Sequence, residues 1–249
     1  MSDLDRATAL GAFDAGYQKV TAVTAGLSEA DLMRPTRCAG WAVADVLYHQ
    51  LLDARRALRT FASPSDAPVD CDDVSYWRDY APGEASAPGE ASGPGEASGS
   101  GGNGAAAYAD ESAAHARYVR IAASAYPPGT LAWEWSETAA AACRAGRACG
   151  HRAVTTQGHV LTVTSFAATL AVEAAVHYLD LTVDLPGAPD PDPGSLALVR
   201  RVLAGLLGAP LPDSWGDVTA ALKGTGREPL TEADRRALGS SAGKFPLFA

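Results

Sequence analysis

VTSFAATLAVEAAVHYLD, Val163 to Asp180, is the stretch whose reading decides the fold. Wound as a helix, it sets Val163, Phe166, Leu170, Glu173, His177 and Asp180 on one stripe, with spacings of three and four residues. That is the core-facing seam of a helix in a bundle. The first half of the stripe is apolar. The second half puts a carboxylate, an imidazole and a carboxylate where core residues belong. A buried acid is unfavourable by several kcal/mol unless it is paired or bound. Glu173 and His177 stand one turn apart and can converge on one point, as ligands do in helical zinc sites.

Outward from this helix, other segments show the same period. Residues 3–26 read as a helix, and Leu10, Phe13, Tyr17, Val20 and, just beyond it, Leu27 recur at helical spacing. Ser28 begins a short capped turn that Pro35 closes, and a second long helix is predicted over 42–61. A third is predicted over 105–125, with others near 194–207, 214–223 and 231–240. Residues 131–150 stay ambiguous: LAWEW alternates like a strand, whereas the alanine run favours a helix. Residues 151–161 suggest a short hairpin across Gln157 and Gly158. Residues 81–104 hold three near-copies of a Pro-Gly-Glu-Ala-Ser unit and read as a disordered loop. The expected architecture is mostly all-α: a four-helix bundle over 1–183 with an insertion at 63–104. A helical C-terminal extension, 184–249, packs on it.

The chain has 249 residues, 47% of them hydrophobic, enough for a sizeable core. Its net charge of -9 argues against a nucleic-acid partner and against a polybasic membrane contact. No secretory leader is evident, and no apolar run reaches the roughly 18 residues of a spanning helix. A cytoplasmic protein is expected. Cys38, Cys71, Cys143 and Cys149 form no CxxC pair and are expected to be free thiols. The acids around Cys71 disfavour its thiolate.

Two ligands on one helix need a partner from another. His49 lies off the main apolar stripe of its helix, so the pattern leaves it either half-buried or facing the bundle interior. Glu111 and His115 repeat the Glu-His spacing among polar neighbours and read as a solvated face. His151 and His159 flank the hairpin and could face the mouth of a site. Arg227, in Gly224-Thr-Gly-Arg227, could grip a substrate carboxylate or sit on the surface. No phosphate loop, dinucleotide fingerprint or nucleophile elbow is present.

Three stretches carry a resemblance to a known family. Cys38-Ala-Gly-Trp41 with Val43, Asp45, Val46 and His49 resembles its entry helix. Thr169, Glu173, His177 and Asp180 match its T-x-x-x-E-x-x-x-H-x-x-D helix. Gly224 to Thr231, with Phe245-Pro246-Leu247, is similar to the tail of many members. The chain thus resembles the DinB-like superfamily, and within it the mycothiol-dependent maleylpyruvate isomerase N-terminal domain. The resemblance implies a DinB-like bundle holding a divalent metal, usually zinc (with nickel as the alternative), through His49, Glu173 and His177. Asp45 and Asp180 would orient the imidazoles. It further implies mycothiol as co-substrate and a small electrophile as its target, in an S-transferase or isomerase reaction. The isomerase has a larger α/β C-terminal domain with an active-site arginine. The stretch after residue 190 is expected to be too short for that domain in full, so the resemblance does not place Arg227 as that arginine, and Arg227 stays a candidate only for gripping a substrate carboxylate. The rival readings are a non-catalytic metal-binding module, paired as a homodimer through exposed helix faces, and a zinc-water hydrolase.

Overall fold

Residues 4–80, 104–127 and 129–248 are described by the computed structural model. The repeat loop expected over 81–104 lies outside them, except for Gly104. The elements are α1 (Arg6–Thr24), α2 (Glu29–Leu32), α3 (Val43–Phe61), α4 (Gly104–Ser124), α5 (Thr130–Ala148), β1 (Ala153–Thr156), β2 (His159–Thr162), α6 (Val163–Thr182), α7 (Pro193–Leu207), α8 (Asp217–Gly224) and α9 (Glu232–Leu238). Among the described residues the fold is all-α apart from one two-stranded hairpin. Among the described residues no helix is long and apolar enough to cross a membrane.

The bundle is made of α1, α3, α5 and α6. This corrects the expected composition in one respect. The segment left ambiguous, 131–150, supplies the fourth bundle helix, whereas α4 packs mainly on α3. The buried residues of α5 are Leu131, Trp135, Ala139, Ala142, Cys143 and Gly146, a helical series. Trp135 wedges against Tyr17 and donates its indole N–H to Thr21 Oγ1 at 3.0 Å. Gly146 lets α5 close on Phe61, because a Cβ there would lie 3.0 Å from that ring. Trp133 is 64% exposed, on the opposite face from Trp135. A strand would have placed Leu131, Trp133 and Trp135 on one side. Trp133→Ala is therefore expected to shift stability by less than about 0.5 kcal/mol in a denaturant melt. A larger loss would contradict this packing.

The helix ends follow local chemistry. Asp5 caps α1 by accepting from Thr8 N–H at 2.9 Å, and Thr162 caps α6 through Ser165 N–H at 3.0 Å. Asp192 caps α7 through Ser195 N–H at 2.7 Å, with Pro193 opening the helix. Ser195 Oγ in turn donates to the Ala12 carbonyl at 2.8 Å, which ties α7 to α1. The hairpin turns at Gln157 (φ 46°) and Gly158 (φ 82°), a two-residue left-handed turn suited to adjacent strands. Residues 63–70 run beside this hairpin: Thr155 N–H donates to the Ser63 carbonyl at 3.0 Å and Asp70 N–H to the Val160 carbonyl at 3.0 Å. A 3-10 turn from Ser75 follows and sends Tyr76 and Trp77 into the core.

At the C-terminal end, Asp234 joins α8 to α9. Its carboxylate accepts from Trp215 Nε1 at 2.6 Å and from the Thr231 N–H at 2.8 Å, and it pairs with Lys223. Asp234→Ala is expected to lower stability by about 1–3 kcal/mol. The pairing holds the Asp234 carboxyl below the usual range against the upward pull of burial. Its contribution is therefore present above about pH 4 and lost on acidification. Thermal melts of variant and parent should converge in acid.

Candidate metal centre

From Ser165 to Leu181 every residue of α6 is buried except Glu173 and His177, which are partly exposed. Those two side chains open onto a cavity of about 1170 Å³. His49 of α3 faces them across it, its ring 4.7 Å from that of His177. One donor atom from each of His49, Glu173 and His177 lies within 4.8 Å of the others. His177 Nε2 is 3.2 Å from Glu173 Oε2. Metal–ligand bonds of about 2.0–2.2 Å span tetrahedral edges of roughly 3.3–3.6 Å, so this donor set fits a divalent ion with small adjustments.

The surroundings orient the donors. His177 Nδ1 lies 3.0 Å from Asp180 Oδ2, which turns Nε2 toward the cavity. Asp180 is fully buried. It also accepts from Arg227, Nε to Oδ1 at 3.0 Å and Nη2 to Oδ2 at 2.9 Å, and from the Cys38 thiol at 3.3 Å. Arg227 is presented by the turn that ends α8, where Gly226 takes φ 74°. The Gly-Thr-Gly-Arg stretch is thus a helix terminus. The guanidinium lines the cavity, but its fork is engaged by Asp180. Cys38 and Trp41 come from the loop before α3, closed by Thr36 N–H to the Trp41 carbonyl at 3.2 Å and by Gly40 at φ 77°. Trp41 meets the His49 ring edge-on at 5.5 Å.

Electrostatics separates the two imidazoles. Burial, then the neighbouring His177 charge, pushes His49 below its ordinary value, so it is neutral and able to donate a lone pair. Burial pulls His177 the same way. Hydrogen bonds with Asp180, Cys38 and Glu173 outweigh it and raise His177 well above its ordinary value. Burial would raise Glu173, but the His177 hydrogen bond and the charges of His177, His49 and Arg56 hold it below the carboxylate range.

The other sequence candidates are placed as follows. Asp45 does not reach the imidazoles; its Oδ2 accepts from Ala42 N–H at 2.8 Å at the start of α3. His151 lines a different hollow, with Arg6 and Arg201, at the other end of β1 from Gln157, which lines the main cavity. His159 lies outside the cavity wall, its ring 6.1 Å from that of Tyr76. His115 is exposed, as expected of a solvated face, and it also borders the cavity, with Nε2 3.4 Å from His49 Nδ1. Its position depends on how α4 docks on α3, which no local pattern reveals. Engaging Nδ1 leaves Nε2 of His49 to coordinate. His115→Ala is expected to weaken metal binding about 10–100-fold in a chelator competition. Unchanged affinity would remove His115 from the site.

The far side of the cavity carries Arg56, which contacts Asp53 at 3.0 Å, Gln157 at 2.8 Å and Tyr76 at 3.3 Å. Trp77 and Phe248 close that side as stacked rings 4.6 Å apart.

A family model described as the mycothiol maleylpyruvate isomerase N-terminal domain matches residues 13–182, which span α1 to α6. No curated protein matches the chain, and no solved structure does.

Proposed function

The chain belongs to the mycothiol maleylpyruvate isomerase N-terminal domain family, and we propose that it is a zinc-dependent enzyme joining mycothiol to a small electrophile. The observation that carries this is the convergence of His49, Glu173 and His177 at the wall of a cavity of about 1170 Å³, room for two small reactants. Two imidazoles and one carboxylate are a donor set suited to zinc, with nickel the alternative. Three protein donors are the pattern of catalytic rather than structural sites. A divalent ion held there would supply the positive charge that keeps a thiol deprotonated at neutral pH.

The chain's own groups do the rest. Asp180 fixes the His177 ring, and Arg227 neutralises Asp180 so that the buried carboxylate is not left alone. Arg56, Tyr76 and Gln157 offer polar contacts to the bound molecules, and Trp77 with Phe248 keeps water from that side. In the reaction the thiolate sulfur adds to one carbon of a double bond conjugated with a carbonyl, and the π pair moves to the carbonyl as an enolate. Protonation of the enolate keeps the new C–S bond and gives a conjugate, the transferase outcome. Rotation about the now single C–C bond, then return of the electron pair with expulsion of the thiolate, gives a cis–trans isomer.

The test is to incubate metal-loaded protein with mycothiol and a panel of activated alkenes and epoxides, with and without the thiol. Turnover that needs both metal and thiol supports the proposal. Product without thiol would favour metal-assisted hydrolysis. Metal that only raises the melting temperature would favour a non-catalytic binding module.

A further inference from the structure

We propose a second metal site, formed by Asp70, Cys71 and His159, that takes a thiolate-seeking divalent cation such as zinc. One donor atom from each of the three lies within 4.8 Å of the others. The three come from two strands of chain far apart in sequence, and the backbone holds them in register. Asp70 N–H donates to the Val160 carbonyl at 3.0 Å, and Val160 N–H donates to Asp70 Oδ1 at 3.1 Å. This reciprocal pair fixes residue 70 opposite residue 160, so Cys71 falls beside His159.

His159 Nδ1 and Asp70 Oδ1 are 3.5 Å apart. That separation is long for a hydrogen bond. It matches the edge of a tetrahedron around an ion with bonds of about 2.0–2.3 Å. The Asp70 and His159 side chains are 48% and 34% exposed, so an ion can enter from solvent. A thiolate, an imidazole and a carboxylate are the borderline-soft donors that select zinc over magnesium or calcium. The nearby acids are otherwise engaged: Asp72 accepts from Ser75 N–H at 2.7 Å, and Asp73 pairs with Arg201 at 2.8 Å. They add attractive charge without crowding the ligand set. An ion here would clamp residues 63–71 to the hairpin. It would thereby brace Tyr76, which meets His159 edge-on and lines the main cavity.

Cadmium tests this assignment, since sulfur-to-cadmium charge transfer absorbs in the ultraviolet and reports thiolate ligation. Cadmium titrated into the full metal-free chain should produce the band. The band should be lost in Cys71→Ser and retained in Cys38→Ser, the control for the thiol beside His177. His159→Ala, at a part-exposed position, guards against a Cys71 variant that fails to fold. It should need at least about tenfold more cadmium for the same absorbance. A band that survives Cys71→Ser, no band in the parent chain, or unchanged affinity in His159→Ala overturns the site. His49→Ala should leave the band intact, which separates this site from the centre between α3 and α6.

Discussion

Replacing His177 with alanine is expected to remove one equivalent of divalent metal per chain and to abolish thiol-dependent turnover. His177 contacts both other donors and Asp180: it meets Glu173 at 3.2 Å and Asp180 at 3.0 Å, and its ring faces His49. Without it, two donors on different helices remain, too few to hold an ion against water. Elemental analysis of parent and variant side by side checks the first part. An unchanged metal content would sink the assignment.

The same residue sets the pH behaviour, with opposite signs for stability and for metal uptake. In the metal-free chain His177 is raised well above its ordinary value. Its contribution to stability is full below about pH 6.5 and is lost as pH rises through the folded value. Glu173 and Asp180 are depressed, so their contributions are present above about pH 4 and are lost on acidification. His49 is depressed, so its contribution is full above about pH 6.5 and is lost below it, and the metal-free protein should therefore be most stable close to pH 6.5. Metal uptake must displace the His177 proton, so affinity should rise with pH where stability falls. Calorimetry in buffers of different ionisation enthalpy should detect the released proton at neutral pH, and should find less release in Glu173→Gln.

The second large effect is expected at Asp180. This fully buried carboxylate neutralises Arg227 and orients His177 at once. Asp180→Ala leaves the Arg227 guanidinium, 14% exposed at the cavity wall, without its partner, a loss of up to about 3 kcal/mol. It also frees the His177 ring, which should weaken metal binding about 10–100-fold. The double change Asp180→Leu with Arg227→Met separates the two roles. An apolar pair of similar volume should recover most of the stability without recovering the affinity. If affinity returned along with stability, orientation of His177 by Asp180 would be ruled out.

Much of this was legible in the chain. The stripe from Val163 to Asp180 announced a core helix whose polar half needed partners, and α6 is that helix. The hairpin at Gln157 and Gly158 followed from turn chemistry, and the short capped turn at Ser28 followed from its N-cap residue; the structure adds capping boxes at Ser28 and at Thr231. His49 entered the candidate site through a family resemblance, since its own helix pattern left it off the apolar stripe. Residues 131–150 stay undecided in sequence because the alternation of Leu131, Trp133 and Trp135 over five residues suits a strand and equally a helix with one exposed tryptophan; the helix is what forms.

The sequence by itself determined the helices outside 131–150, the buried face of the Val163–Asp180 helix and that Glu173 and His177 share a turn. Each of these depends on neighbours within about four residues, and local periodicity records it. Only the tertiary structure decided that α5 completes the bundle and that His115 reaches His49. It alone set Arg227 on Asp180, 47 residues away, and Cys71 beside His159. Those meetings depend on the register between packed elements. Register is fixed by the fit of whole surfaces, such as Gly146 against Phe61, and leaves no periodic trace in either partner.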